Sequence, residues 1–355
     1  MNIQFALGLV FVAASSFSAA RPAPDNLSFH VKSGTSLARG FESRQEISQD
    51  EAEILMNGQP FPSGNGGGMT AIQSQVLDIN DEFVAVEGAA PQKLRRTFSK
   101  IESSGEQTTK DPMDSGEKTD TRRGKSELEG KTVVFDWDAS KAEFLKSFDP
   151  EGPEAALLAG LTEDLDFRAF LPAKGLASED DSWGVELAAI KSVFMPGGNL
   201  SLKPVDPPQG EDEDSPGMGM LNEDPALAFN GLSGGARATY KGSREIDGVS
   251  CGVIALEFKV STTKDLSDKL PKPGNGPGGG EIHIEHVNAF LSLEGEAELI
   301  WDLSGGFARS FNMSAKIKNQ MEIAMKLAQG GKTMDITRKM QMSGSYALKV
   351  AVVKL

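Results

Sequence analysis

The strongest constraint on the fold is an alternation of apolar and polar residues in the C-terminal part of the chain. The alternation runs through three stretches, 287–303, 307–327 and 334–352. Successive side chains of a β-strand point to opposite faces, whereas an α-helix repeats about every 3.6 residues. A period of two therefore predicts strands with one apolar and one solvated face. No proline follows Pro277, so none removes a hydrogen bond from these strands.

Two glycine-containing segments separate the three stretches and predict turns. They are Leu303–Gly306 and Gln329–Lys332. Turns of this kind join antiparallel neighbours, so we expect a meander. At about 3.3 Å per residue, straight strands of this length would span roughly 55–70 Å, well beyond the usual length. The strands are therefore expected to bend, with Gly295 and Gly344 as the bend points, or to contain a hidden turn.

The N-terminal part of the chain repeats this style. Apolar positions alternate between 27 and 42, and a loop rich in glycine and proline follows at 60–68. Further strands are predicted at 71–87, 93–102, 131–137, 236–247 and 249–261. The stretch 103–130 is charged and weakly patterned, which predicts a long hairpin loop or a flexible excursion.

Residues 139–204 change period and predict three short helices. The sequence from Ser140 to Glu143 matches a capping box, and Pro153 suits the first turn of a second helix over 153–160. One face of a third helix is formed by Trp183, Leu187, Ile190 and Phe194. We therefore expect a β-rich α+β fold, in which a long, curved, half-barrel-like antiparallel sheet carries a helical insertion, 139–204, on its apolar face.

Two further segments have a loop composition. The acidic loop 205–230 holds seven acids and no base within 206–224, and the linker 271–280 is almost all proline and glycine. The rest of the mature chain, 21–355, is expected to form a single domain.

The first twenty residues predict a secretory signal peptide. An uncharged apolar run, Phe5–Ala14, is followed by small residues, and Ser18 and Ala20 suit the −3 and −1 positions of a cut after Ala20. An uncleaved anchor or a buried helix is the alternative. The mature chain contains no stretch long and apolar enough for a transmembrane helix. An exported protein, periplasmic or extracellular, is therefore expected.

Composition excludes several kinds of chemistry. The 355 residues include one cysteine, Cys251, which rules out a disulfide framework and a cysteine-based metal site. An exported chain without a disulfide fits a bacterial envelope protein. A net charge of −15 argues against sequence-independent binding to nucleic acid. No cofactor is indicated.

One segment matches a catalytic motif. Gly231–Gly235 reads G-x-S-x-G, which would make Ser233 the nucleophile of a serine hydrolase, with His283 or His286 completing the set. The residues that follow predict a strand, whereas the motif requires a strand-to-helix turn. A glycine–serine turn before a hairpin is the favoured interpretation, so enzymatic activity is uncertain and not favoured.

Three segments contain residue types that also occur in ion or phosphate sites. His283 and Glu285 would share one strand face while His286 points away, which leaves too few ligands for zinc. The acidic run 211–214 lacks the spacing of a calcium loop. The two glycine triplets, 66–68 and 278–280, lack the lysine and helix of a phosphate cradle. No metal site is therefore predicted.

The apolar face of the C-terminal strands is rich in methionine, a flexible residue common on adaptable binding surfaces. This face predicts a groove for an apolar, lipid-like ligand, and a filled core is the alternative. The candidate ligand-binding residues are Met313, Met321, Met325, Met334, Met340, Met342, Phe311 and Trp301.

The opposite face of the same region is basic. Residues 303–355 carry nine Lys or Arg and two Asp or Glu, a local charge of +7 that could steer an anionic partner. The predicted architecture resembles that of periplasmic lipoprotein and lipid carriers of the LolA/LppX type, an open half-barrel with helices as a lid. The resemblance is architectural, implies a covered apolar cavity and assigns no residues.

Three functions follow from these observations. The first is an exported, non-enzymatic protein that carries a hydrophobic ligand between sheet and helices. The second is a structural or protein-interaction component of the cell envelope with a filled core. The third and least favoured is the serine hydrolase.

Overall fold

The computed structural model describes residues 23–61, 68–110, 116–150, 155–205, 229, 231–267, 274–275, 281–330 and 332–355. The strands within them are β1 (Asp25–Asn26), β2 (Thr35–Met56), β3 (Gln59–Pro60), β4 (Met69–Glu87), β5 (Ala90–Lys110), β6 (Glu117–Ser126), β7 (Thr132–Asp138), β8 (Glu143–Phe148), β9 (Leu176–Ala177), β10 (Ser182–Gly184), β11 (Leu202–Pro204), β12 (Ser233–Ile246), β13 (Val249–Asp265), β14 (Gly274–Asn275), β15 (Glu281–Asp302), β16 (Phe307–Gln329) and β17 (Lys332–Lys354). In the same residues, one α-helix, α1 (Leu187–Phe194), and two 3-10 turns, Ala155–Leu158 and Arg168–Phe170, complete the set.

Fifteen of these strands form one antiparallel sheet, and β1 and β9 form a separate pair. The central order is β12-β13-β15-β16-β17-β2-β4-β5-β6, with the short strands β10 and β11 at the two ends. The pairing of β17 with β2 runs along almost their whole length, from Lys354 opposite Leu37 to Ile336 opposite Met56. The sheet therefore joins its N-terminal and C-terminal strands at its centre.

The meander predicted from the alternation is confirmed. β15, β16 and β17 are unbroken strands of 22, 23 and 23 residues. The hidden turn is therefore wrong for these three strands, and β-bulges are their only breaks in pairing among the described residues. Gly344 lies where β17 passes close to β2, since an added Cβ would sit 1.9 Å from the carbonyl oxygen of Glu46.

The α+β expectation with a helical insertion is wrong. Of the three helices predicted in 139–204, only the second half of the third exists, as α1, and Trp183, expected on its face, lies in β10 instead. The first is a hairpin, because the backbone N–H and hydroxyl of Ser140 both donate to the carboxylate of Asp138, at 2.9 and 2.6 Å. This local bond forms a turn in place of a helix cap, and β8 then pairs back onto β7. The second helix is reduced to the 3-10 turn Ala155–Leu158.

Only part of the predicted region covers the sheet, because residues up to Phe148 belong to the β7–β8 hairpin. Residues 155–205, which we call the covering segment, pack on the apolar face of the sheet. The side chains that enter the common core include Leu157, Leu161, Leu165, Phe167, Phe170, Val185, Ile190, Val193 and Leu200. Turns, short strands and one helix thus cover the apolar face that three helices were expected to cover.

The stretch 103–130 is also ordered differently from the prediction. Its first part is the end of β5, and most of the remainder is β6, which pairs with β5 from Glu102 opposite Lys125 to Lys110 opposite Glu117. The polar composition that suggested a loop reflects strands with little apolar surface on either face.

Several predictions fall outside the described residues. These are the signal peptide 1–20, the acidic run 211–214 and its loop, the glycine triplets 66–68 and 278–280 in all but Gly68, and most of the linker 271–280.

Candidate functional site

Directly opposite residues on antiparallel strands point to the same face, so the register defines rows that cross the sheet. We call the face under the covering segment the inner face and the other the outer face. One inner row reads Gln73, Gln45, Tyr346, Ala315 and Gly295 on β4, β2, β17, β16 and β15.

The inner face near the covering segment is a filled aromatic core. The ring of Phe167 stacks on Phe311 with centroids 4.7 Å apart, and Phe170 approaches the same ring at 5.6 Å. Phe41 on β2 lies on the other side of Phe167, at 6.4 Å. On α1, Phe194 packs against Tyr346 at 4.8 Å. Three of the candidate ligand residues, Phe311, Met313 and Trp301, belong to this core.

A second apolar cluster lies further along the same face, toward the β16–β17 turn. Its buried members are Val287, Met321 and Ile323, and its half-buried members are Leu266, Ile284, Met325 and Met340. None of these described residues comes from the covering segment. Three more candidate residues therefore lie together, outside the main core. We call this set the distal cluster.

The two remaining candidates flank the distal cluster. Met342 is buried on β17 opposite Gln49 and Asn319, between the main core and the distal cluster. Met334 lies beyond it, half-buried and opposite Leu327. The eight predicted residues are thus divided between two regions of one face.

The inner face also changes character across its width. On β13, β15, β16 and β17 it is mainly apolar, whereas on β2, β4 and β5 the part beyond the main core, toward the distal end of the sheet, carries several uncharged polar side chains. Those polar residues are Ser43, Gln45, Gln73, Gln75, Ser103 and Gln107, all half-buried or exposed. We call them the amide patch.

A buried ionic cluster, which was not predicted, lies at the other end of the inner face. Asp81 is fully buried and binds Arg96 through two contacts of 2.7 and 3.0 Å, and it also accepts a hydrogen bond from Arg39. The three side chains occupy inner positions of β4, β5 and β2. The sequence holds one signal of this cluster, namely charged residues at positions of β2, β4 and β5 that face the inner side of the sheet.

Arg96 connects this cluster to the covering segment. Its guanidinium donates to the carbonyl oxygens of Thr162 at 2.8 Å and Glu163 at 3.1 Å. Burial raises the pKa of the Glu163 carboxyl above its ordinary value. Asp166, also buried, pairs with Arg168 on the same loop. The cluster positions the loop over the sheet, and its charges are already paired with one another.

The serine motif does not have the required setting. Gly231–Gly235 leads into β12, and the hydroxyl of Ser233 donates to the carbonyl oxygen of Ser261 at 3.0 Å. A nucleophile elbow needs an exposed serine between a strand and a helix. Here Ser233 lies in a strand, and its hydroxyl proton is used in the hydrogen bond to the neighbouring strand, β13.

His283 and His286 lie on β15, where a β-bulge after Ile284 changes the expected orientation. His283 is opposite Lys326 and His286 is opposite Ala324, so both point to the outer face. His286 faces Glu322 at 3.5 Å, and Glu285 pairs with Lys326. Across the residues with described positions, no group of three or more His, Cys, Asp or Glu side chains is arranged to hold a metal ion.

Cys251 is buried on the outer face beside Val253 and Ile300. Burial raises the pKa of its thiol, so the reactive thiolate is disfavoured.

A shallow depression of about 390 Å³ opens on another part of the molecule. It is lined by β4, β5, β7 and β8, and two ion pairs cross it, Lys93 with Asp136 and Arg95 with Asp149, each at 2.8 Å. None of the candidate ligand residues lines it.

The basic outer face of 303–355 is neutralised by its neighbours. Lys316 lies opposite Glu294, and Lys349 lies opposite Glu42. Acidic β15 and β2 therefore flank the basic strands β16 and β17, which reduces the field available to steer an anion.

Comparisons with known proteins add little to this description. In the part of the chain that the structure describes, no helix is long and apolar enough to span a membrane. No protein family profile matches the chain, and no curated protein sequence does.

Two solved structures align with most of the chain. One is an outer membrane channel from Pseudomonas putida F1, at 8% identity, with 92% of this chain and 98% of that chain covered and a TM-score of 0.21. The other is Pseudomonas aeruginosa OccK7 (OpdD), at 8% identity, with 90% and 99% covered and a TM-score of 0.15. At such scores the alignments assign neither a fold nor an activity to this chain.

Proposed function

We propose that the protein is an exported, non-enzymatic protein of the cell envelope that binds an apolar, lipid-like molecule on the distal cluster. The observation that supports this proposal is that Met321, Met325 and Met340 belong to an apolar cluster on the inner face that includes no side chain from the covering segment. Such a patch on a soluble protein is typical of a binding surface. Export rests on the N-terminal apolar run and its small-residue cut site.

The chemistry of the distal cluster favours a flexible apolar chain. Methionine side chains are unbranched and polarizable, so they adapt to a ligand without a fixed shape. A ligand that lies along the strands would extend from Met342 toward Met325, on one continuous face.

A structural or protein-interaction role is the second candidate, and one observation favours it. Val287 is 3% exposed and Met321 is 6% exposed, so part of the distal cluster is already shielded from solvent. In that case the cluster is a second, filled core, and the protein acts through its surface.

Paired methionine substitutions test the proposal. Met340→Ala should weaken the uptake of a fluorescent fatty acid about tenfold, and should cost less than about 1 kcal/mol of stability because the site has room to adapt. The matched control is Met313→Ala in the main core, which should cost about 2–5 kcal/mol and leave binding unchanged. Native mass spectrometry before and after delipidation checks for a bound lipid.

The opposite result supports the filled core. If Met340→Ala is as destabilising as Met313→Ala, and the purified protein neither carries a lipid nor takes up the fatty acid, the binding function is wrong. The N-terminal mass of the exported protein checks the predicted cut after Ala20.

A further inference from the structure

We propose that the ligand is an amphiphile with an uncharged, hydroxyl-rich head group, which contacts the amide patch while its chain lies on the distal cluster. This inference rests on the proposed function and adds a head-group class to it. It is based on the division of the inner face between apolar and amide side chains.

The boundary between the two surfaces runs between β2 and β17. In one row, Gln45 lies opposite Gln73 on one side and opposite Tyr346 on the other. In the neighbouring row, Gln75 lies opposite Ser43 and Ser103, and Leu348 follows on β17. Each row thus passes from amides and hydroxyls to apolar residues within one strand spacing, about 4.8 Å.

The amide patch suits hydroxyl groups better than ions. A glutamine amide offers two donors and one acceptor oxygen, and a serine hydroxyl is both donor and acceptor. A sugar-like head group presents the same mixture of donors and acceptors. A phosphate or sulfate presents acceptors only and gains most from Lys or Arg, which the six residues of the patch do not include.

Charged side chains border the patch on two sides. On β6, Arg122 lies opposite Gly105, Asp120 lies opposite Gln107 and Lys118 lies opposite Thr109, and Lys118 pairs with Asp120 at 3.5 Å. At the other end, Arg39 and Arg96 are buried and bind Asp81. Arg122, in the row of Gln73, is a cation beside the patch, and titration with dodecyl sulfate measures whether it attracts an anion.

The spacing of the two surfaces fits one molecule. Along β17, the row of Gln45 is at Tyr346, four residues from Met342 and six from Met340. At about 3.4 Å per residue, these separations are roughly 14 and 20 Å. An alkyl chain extending from a head group on the patch therefore reaches Met342 after roughly 14 Å and the edge of the distal cluster, at Met340, after roughly 20 Å.

Three detergents with one dodecyl chain test the head group. They are dodecyl maltoside, dodecylphosphocholine and dodecyl sulfate, each titrated calorimetrically into the full mature chain below its micelle concentration. We expect the maltoside to bind at least about tenfold more tightly than the other two. The double variant Gln45→Ala/Gln73→Ala should lose that preference and keep the affinity for dodecyl sulfate. Gln320→Ala, exposed on the outer face of β16, is the matched control and should change nothing.

Each other result decides the question. Equal affinity for the three detergents overturns the head-group inference and leaves the proposed apolar site intact, whereas no binding of any detergent overturns both. A preference for dodecylphosphocholine or dodecyl sulfate overturns the inference in favour of a charged head group. If the double variant does not fold, as judged by circular dichroism, the single variant Gln73→Ala at an exposed position replaces it. An unchanged maltoside preference in a folded variant also overturns the inference.

Discussion

At the residue scale, three ionised side chains occupy positions that the strand pattern reserves for apolar residues. Asp81 accepts hydrogen bonds from both Arg39 and Arg96, and the two guanidinium groups also lie over the rings of Phe83 and Phe135, at 5.5 and 5.3 Å. A buried charge is stable only while its partners remain. Asp81 is therefore the carboxylate that both buried cations contact directly, and the buried carboxylate of Asp166 acts on Arg39 without a contact.

Removal of that carboxylate should be strongly destabilising. Asp81→Asn leaves Arg39 and Arg96 without their anion, and we expect a loss of about 3–5 kcal/mol in the free energy of unfolding, measured by urea denaturation. The control is Asp136→Asn, which breaks an exposed pair with Lys93 and should cost less than about 1 kcal/mol. Similar losses of unfolding free energy in the two variants would show that the buried cluster contributes no more to stability than an exposed ion pair.

The two tyrosines, Tyr240 and Tyr346, should lose their phenolic protons only at a higher pH than an exposed tyrosine. Burial raises the pKa of Tyr346 to about 12, and burial together with the hydrogen bond to Asp25 raises the pKa of Tyr240 as well. Because the folded state disfavours the phenolate, stability is lost as the pH rises above about 10, the value for an unfolded tyrosine. We expect phenolate absorbance only near pH 12 or on unfolding, whereas the protein in urea should titrate near 10. A native midpoint near 10 for both residues would contradict the structure.

At the scale of elements, the alternation of residues predicted the strands correctly because it depends only on which face is wet. The first predicted helix does not form, because its capping pattern, Ser140–Glu143, is only a local signal. The carboxylate of Asp138 accepts the hydrogen bonds of Ser140 and forms a turn instead. The polar hairpin of β5 and β6 was missed for a related reason, since neither strand has a fully apolar face. Pairing with a neighbouring strand, which the sequence does not display, decides both cases.

Gly344 tests how closely two central strands approach. A Cβ at this position would lie 1.9 Å from the carbonyl oxygen of Glu46, so Gly344→Ala should force β17 away from β2 and cost at least about 1–3 kcal/mol. Gly235→Ala on β12 is the control, because nothing lies within 4 Å of its added Cβ. Thermal and urea unfolding of both variants measure the difference. Equal stability would mean that the strands separate without cost.

At the scale of the whole molecule, the sequence predicted the apolar face and the place where the middle segment covers it. It did not predict how that face is divided. Gln45 and Gln73 become one patch, and Arg39, Asp81 and Arg96 one cluster, only through the exact register of the neighbouring strands β2, β4 and β5. The strand pairing also changes what the local charge of +7 in residues 303–355 implies. Acidic strands lie on both sides of the basic ones, which reduces the attraction for an anionic partner.

The central pairing of β2 with β17 has a consequence for the order of events in folding. β2 is synthesised long before its partner β17, with most of the other described strands between them. Until β17 arrives, two long hydrogen-bonding edges stay open in the middle of the future sheet, and open edges favour aggregation. Contacts this distant along the chain also slow folding. A chain of this topology therefore depends on being kept from aggregating until β17 has been synthesised and can pair with β2.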